Sequence, residues 1–112
     1  MNPYYDAEKL DLEMYALDEP DMSYEYNTLD FWTTKDGRVF VAQDSGCSCP
    51  TPFEDYEGDS QEAVLLKLER AGSAEQAVAA FKAWNSSINH HSRLPMEEAH
   101  KLEAWVQQKL KT

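Results

Sequence analysis

The chain reads as an α+β domain: a three-stranded antiparallel sheet in the N-terminal half, with two to three helices from the C-terminal half packed on one face. Apolar and polar residues alternate with a period of two in the first half and recur at three- and four-residue spacing in the second. Strands first and helices afterwards imply an antiparallel sheet, because a parallel one needs alternating elements. A length of 112 residues fits one domain, and it buries roughly two-thirds of the unfolded chain's surface without help from disulfides or metals.

Residues 1–11 carry no strand or helix period and are expected to be mobile. Residues 12–17 and 24–34 alternate apolar with polar side chains and are rich in Tyr, Phe, Trp and Thr, which suit a pleated, half-buried surface. Glu19-Pro20-Asp21 turns the chain between these strands, since proline presets φ and aspartate bonds neighbouring backbone. Asp36-Gly37 joins the second strand to a third, residues 39–42, by a tight hairpin that needs positive φ. On the second strand Trp32 shares a face with Met22, Tyr24, Tyr26 and Asp30, while Leu29 and Phe31 point the other way. The Trp32 face is either a second buried layer or an exposed aromatic patch. Residues 44–60 hold two prolines and two glycines and predict a long loop, a feature that is often functional.

The second half is helical. Asp59 or Ser60 caps a helix running to about residue 70, with Val64, Leu65 and Leu68 on one face and Ala71-Gly72 as its stop. Ser73-Ala74-Glu75-Gln76 has capping-box spacing, and Ala74, Ala77, Val78, Phe81 and Trp84 then form one stripe. Pro95 fits a first helical position. Met96, Ala99, Leu102, Val106 and Leu110 recur at helical spacing, Trp105 flanks them, and Lys109 and Lys111 suit the helix end.

Charge divides the chain unevenly. The net −11 belongs to residues 1–60, where 15 Asp plus Glu face three basic residues, Lys9, Lys35 and Arg38, a balance of 3 − 15 = −12. Acid is interleaved there with Tyr, Phe and Trp. Such a surface repels phosphates and argues against direct nucleic-acid binding, which rests on Lys and Arg. It suits a protein partner with a basic patch, of which imitation of DNA is the extreme case. No apolar run reaches the roughly 18 residues of a membrane span, and the first residues lack a signal-peptide pattern, so a soluble cytoplasmic protein is expected. No Walker, dinucleotide or serine-hydrolase motif is present, and no catalytic residue is assigned.

Cys47-Ser48-Cys49 is the most distinctive local feature. Three readings stand side by side: thiols packed inward beneath the loop, a reactive thiol, or a zinc site completed by two of His90, His91 and His100. The Cys-x-Cys gap is shorter than usual for zinc, and Asp44, Glu54, Asp55, Glu57 and Asp59 surround the thiols with charge that opposes thiolate formation. His90-His91 reads equally as an exposed turn pair.

The run Asp44-Ser45-Gly46-Cys47-Ser48-Cys49-Pro50-Thr51-Pro52-Phe53-Glu54-Asp55-Tyr56, with Phe31-Trp32, Lys35-Asp36-Gly37-Arg38 and the opening Tyr4-Tyr5-Asp6-Ala7-Glu8-Lys9-Leu10, resembles a group of small proteins of unknown function from bacteriophages of actinobacteria. The resemblance covers roughly residues 4–57 and implies a phage setting without assigning any catalytic residue. The residues expected to meet a host protein in the cytoplasm are Tyr24, Glu25, Tyr26, Asp30, Trp32, Phe53, Glu54, Asp55 and Tyr56.

Overall fold

The computed structural model describes residues 1–20, 22, 25–47 and 51–110. Strands β1 (Glu13–Asp18), β2 (Glu25–Thr33), β3 (Val39–Cys47) and β4 (Glu69–Arg70) form one antiparallel sheet in the order β1-β2-β3-β4. Helices α1 (Gln61–Leu65), α2 (Ala74–Ser87) and α3 (Glu97–Lys109) follow, with short 3-10 turns at Glu54–Tyr56 and His90–Ser92. The fold class is α+β as expected, but the sheet has four strands rather than three.

The extra strand arises where a longer helix was expected. Ser60 does cap α1, its side chain accepting from Ala63 N at 3.2 Å, yet the helix stops at Leu65 and tightens through Lys67 N to Val64 O and Leu68 N to Leu65 O. That turn buries Leu68 and swings Glu69 and Arg70 alongside Val41 and Phe40. Both β4 residues are exposed, so no alternation betrays the strand. The hairpin between β2 and β3 is also wider than a two-residue turn: Thr34 N donates to Arg38 O, and of Asp36 and Gly37 only the glycine has positive φ, 89°. Thr34 and then Arg38 hydrogen-bond the Asp36 carboxyl and hold it below the usual carboxylate range.

Both faces of the sheet are covered. On one, Leu17, Leu29, Phe31, Val39 and Val41 meet Ala77, Phe81 and Trp84 of α2 and Ala99, Leu102 and Val106 of α3. These are the helical stripes the periodicity predicts, and Ser73 caps α2 by accepting from Gln76 N at 3.1 Å. Helix α3 starts two residues beyond Pro95, leaving Met96 exposed outside the stripe, while Trp105 packs against Tyr15 with ring centroids 5.2 Å apart. On the other face, Trp32 and Phe40 meet Leu10, Leu12, Phe53, Val64, Leu65 and Leu68. The expectation of helices on one face only is therefore corrected: α2 and α3 cover one side, while the N-terminal segment, residues 51–56 and α1 cover the other.

The N-terminal segment belongs to that second layer and is not a loose start. Asn2 and Pro3 are buried; Asn2 Oδ1 accepts from Tyr4 N and Tyr5 N, and its Nδ2 donates to Pro52 O at 2.9 Å. Trp32 Nε1 donates to Pro3 O at 2.9 Å, and the Met1 ammonium to Gly58 O at 2.6 Å. A buried indole requires such an acceptor, and the segment supplies it.

Candidate functional site

The antiparallel register orders the second face row by row. Met14, Trp32 and Phe40 lie across three strands, then Ala16, Asp30 and Ala42, then Asp18, Thr28 and Asp44, and finally Tyr26 beside Gly46. The face thus grades from apolar to acidic toward the free end of the β2–β3 hairpin, which extends past β1. A β-carbon on Gly46 would sit 3.2 Å from the Tyr26 hydroxyl, so the glycine leaves room for the Tyr26 ring to lie across β3.

Asp44 fastens the following segment to this end. Its Oδ2 accepts from Phe53 N at 2.7 Å and from the Tyr26 hydroxyl at 3.4 Å, and its Oδ1 accepts from Ser45 N at 2.9 Å. Phe53 adopts left-handed backbone, φ 60°, which turns its ring inward against Trp32 (5.1 Å, edge-on), Tyr56 (5.3 Å, edge-on) and Tyr4 (6.0 Å, stacked). The 3-10 turn that follows leaves Glu54 and Asp55 exposed. Partial burial, then the charge of Asp44, with Cys47 and Glu54 contributing, holds the Tyr26 phenol above its ordinary range.

Of the residues expected to meet a partner, Glu25, Tyr26, Glu54, Asp55 and Tyr56 reach the surface in whole or part, and charge coupling places Tyr26 and Glu54 close together. Trp32, Phe53 and Asp30 do not: all three are fully enclosed. The correction has one cause, the second layer, which turns the two rings into core and leaves Asp30 beneath it. Tyr24 lies outside the described residues.

The cysteine readings separate. Cys47 is exposed at the end of β3, not packed inward, because side chains alternate along the overhanging strand. Cys49 lies outside the described residues. His90 and His91 sit on an exposed 3-10 turn after α2, rings 5.8 Å apart, with His91 N bonded to Asn89 Oδ1, and His100 is exposed on α3. Among the described residues no three His, Cys, Asp or Glu side chains form a group fit to hold a metal ion.

Ion pairs avoid the acidic end. Among the described residues they join Lys9 to Asp6, Lys35 to Asp11, Arg38 to Asp36 and Glu62, Lys101 to Glu97 and Glu98, and Lys109 to Glu13. Asp18, Glu25, Asp44, Glu54 and Asp55 are in none of them. Two surface grooves lie elsewhere among the described residues. One of about 460 Å³ runs between Asp11, Glu13, Lys35 and Lys109, whose charges pair across it, and one of about 540 Å³ lies between β4 and α2. What the acidic end can do chemically is attract cations with exposed carboxylates set beside half-buried phenols.

Sequence reasoning placed the acids but missed the small residues that organise them. Gly46 opposite Tyr26 and the alanines flanking Asp30 signal close approach over this face only once the register is known. Among the described residues no helix is long and apolar enough to cross a membrane. No curated protein and no solved structure matches the chain. One family does match, over residues 1–111, and so extends through the helical half that the motif resemblance left out. The chain belongs to that family, the domain of unknown function DUF7574.

Proposed function

We propose that the protein is a bacteriophage accessory protein that binds a host protein carrying a basic patch, in the host cytoplasm, and acts by occupying that patch. The binding surface is Glu25, Tyr26, Glu54, Asp55 and Tyr56 at the free end of the β2–β3 hairpin, with Asp18 and Asp44 adding to its field. The observation that carries this reading is the set of carboxylates at that end, Asp18, Glu25, Asp44, Glu54 and Asp55, none of which has an ion-pair partner among the described residues. Unneutralised like charges on one surface steer a basic partner in and reject acidic ones. Phenols offer low-entropy anchors within that field. The phage setting is supported by the Cys-Ser-Cys-Pro-x-Pro-Phe motif and its neighbours.

Affinity capture from host lysate, followed by a binding titration with the purified partner, tests the reading. Combined Glu25→Lys, Glu54→Lys and Asp55→Lys is expected to weaken binding on the order of tenfold or more, and added salt to weaken the wild type. Binding that ignores both changes would remove this surface from the function. Displacement by duplex DNA would identify the partner's patch as a nucleic-acid site.

A further inference from the structure

Asp30 is enclosed, and its Oδ2 is a buried polar atom without a hydrogen-bond partner. Its other oxygen belongs to a short chain. Thr28 Oγ1 lies 2.6 Å from Asp30 Oδ1 and 3.1 Å from the Leu17 carbonyl oxygen. A hydroxyl carries one proton and a carbonyl only accepts. Both contacts are hydrogen bonds together only when Thr28 donates to Leu17 and Asp30 donates to Thr28. That arrangement requires a protonated carboxyl. The unpartnered Oδ2 agrees, because a neutral carbonyl oxygen tolerates enclosure at far lower cost than a carboxylate does.

We propose that Asp30 is a proton-holding latch: while its carboxyl keeps the proton, the N-terminal segment and residues 51–56 stay closed over the sheet, and losing it releases them. The groups around it point this way. Ala16 and Ala42 face it directly, the acids Asp18 on β1 and Asp44 on β3 lie one row further out, and Thr28 and Trp32 flank it on β2. Tyr4 lies over it from the N-terminal segment, close enough for the charges of Asp18 and Asp30 to reinforce the effect of burial in raising its phenol. From the 51–56 segment come the Phe53 ring and the exposed Glu54. Burial first, with Asp18 and Asp44 adding, pushes Asp30 up to about 7 against the hydrogen bonds that Thr28 and the Leu17 backbone can offer the ionised form. An ionised Asp30 therefore finds no cation among the groups that act on it, and its route to water is outward through the cover. Among the described residues the cover is hydrogen-bonded to the sheet chiefly through Trp32 to Pro3 and Phe53 to Asp44. Opening would bare the rings of Trp32, Phe53 and Tyr4, so display of this aromatic layer would follow proton loss near neutral pH. The inference stands independently of the partner proposed above.

Native-state amide hydrogen exchange of the full chain between pH 5 and 8, corrected for intrinsic chemistry, tests it beside carbon-13 titration of the Asp30 carboxyl. For amides of residues 4–6 and 53–58, the opening constant is expected to rise about tenfold per pH unit below 7 and to level off above it, roughly 90-fold across the range. Asp30→Asn should abolish that rise. If that variant does not fold, the wild-type titration decides alone: a carboxyl midpoint below pH 5 overturns the latch. So does an opening constant that does not change with pH, or one equal in size to that of α2 and α3 amides at every pH, which would report global unfolding.

Discussion

Truncating Phe53 to alanine tests whether the second layer is a packed core. The ring is fully enclosed and touches three others, Trp32, Tyr56 and Tyr4, at centroid distances of 5.1, 5.3 and 6.0 Å. Removing a buried phenylalanine ring typically costs about 3–5 kcal/mol, the upper part of that range applying where neighbours cannot collapse into the space. Collapse is hindered here because Trp32 is pinned by its bond to Pro3 and the backbone of Phe53 by its bond to Asp44. Alanine keeps the β-carbon and with it the strain of φ 60°. Phe53→Gly removes that strain along with the ring and is expected to be no worse than alanine. Urea unfolding followed by tryptophan fluorescence and far-UV circular dichroism gives both numbers, with Tyr5→Ala as a control whose ring is 64% exposed and whose loss should stay within about 0.5 kcal/mol. A Phe53→Ala loss below about 1 kcal/mol, indistinguishable from the control, would refute a packed second layer.

Further outcomes follow from the same contacts. Asp30, at about 7 against an ordinary 3.8, binds its proton more tightly in the folded chain than in the unfolded one. Its stabilisation is therefore complete below the unfolded value and is lost as pH rises through the folded one. Between about pH 5 and 8 the loss is about 2–3 kcal/mol, and Asp30→Asn should flatten that slope in urea titrations. Ser73→Ala removes the cap of α2 and should cost about 1 kcal/mol by the same assay. Cys47 is exposed, so iodoacetamide should modify it in the native protein with an unchanged circular dichroism spectrum, as peptide mapping will show.

The parts legible in the sequence are those whose signal is local. Period-two alternation located β1, β2 and the start of β3, and the stripe from Ala77 through Trp84 located α2, because each pattern reports a face that one neighbouring layer buries. The capping residues Ser60 and Ser73 were readable for the same reason, as each satisfies an amide three residues on. Long-range closure was not. Glu69 and Arg70 join the sheet because the turn after Leu65 carries them to β3, and two exposed residues have no period to read. Asn2, Pro3 and Tyr4 become structure only when Trp32 and Pro52, 29 and 50 residues further along, offer partners. The same limit governed the site. Tyr26, Asp30 and Trp32 were rightly grouped on one face, but which of them meets water depends on what folds over that face from both directions along the chain.

The second layer also explains why the acids gather where they do. A sheet face covered by rings cannot carry charge in its middle without a partner, and the only acid placed there among the described residues, Asp30, lies under cover beside Thr28. One row further out, Asp18 and Asp44 flank Thr28 at the margin of that cover, where water can reach both carboxylates. Beyond them the hairpin extends past β1, so Glu25 and Tyr26 have a strand neighbour on one side only. Charge is thus pushed to the hairpin end, beyond the rings of the second layer. Ion pairing would have been the cheaper way to stabilise a monomer, and the chain uses it at Asp11, Glu13 and Asp36. Leaving the hairpin end unpaired keeps mutual repulsion in the free protein, and a cation-bearing surface relieves that repulsion on contact. The burial of the rings and the exposure of the acids are therefore two results of one packing arrangement, with Phe53, bonded to Asp44 and stacked in the core, as the residue that joins them.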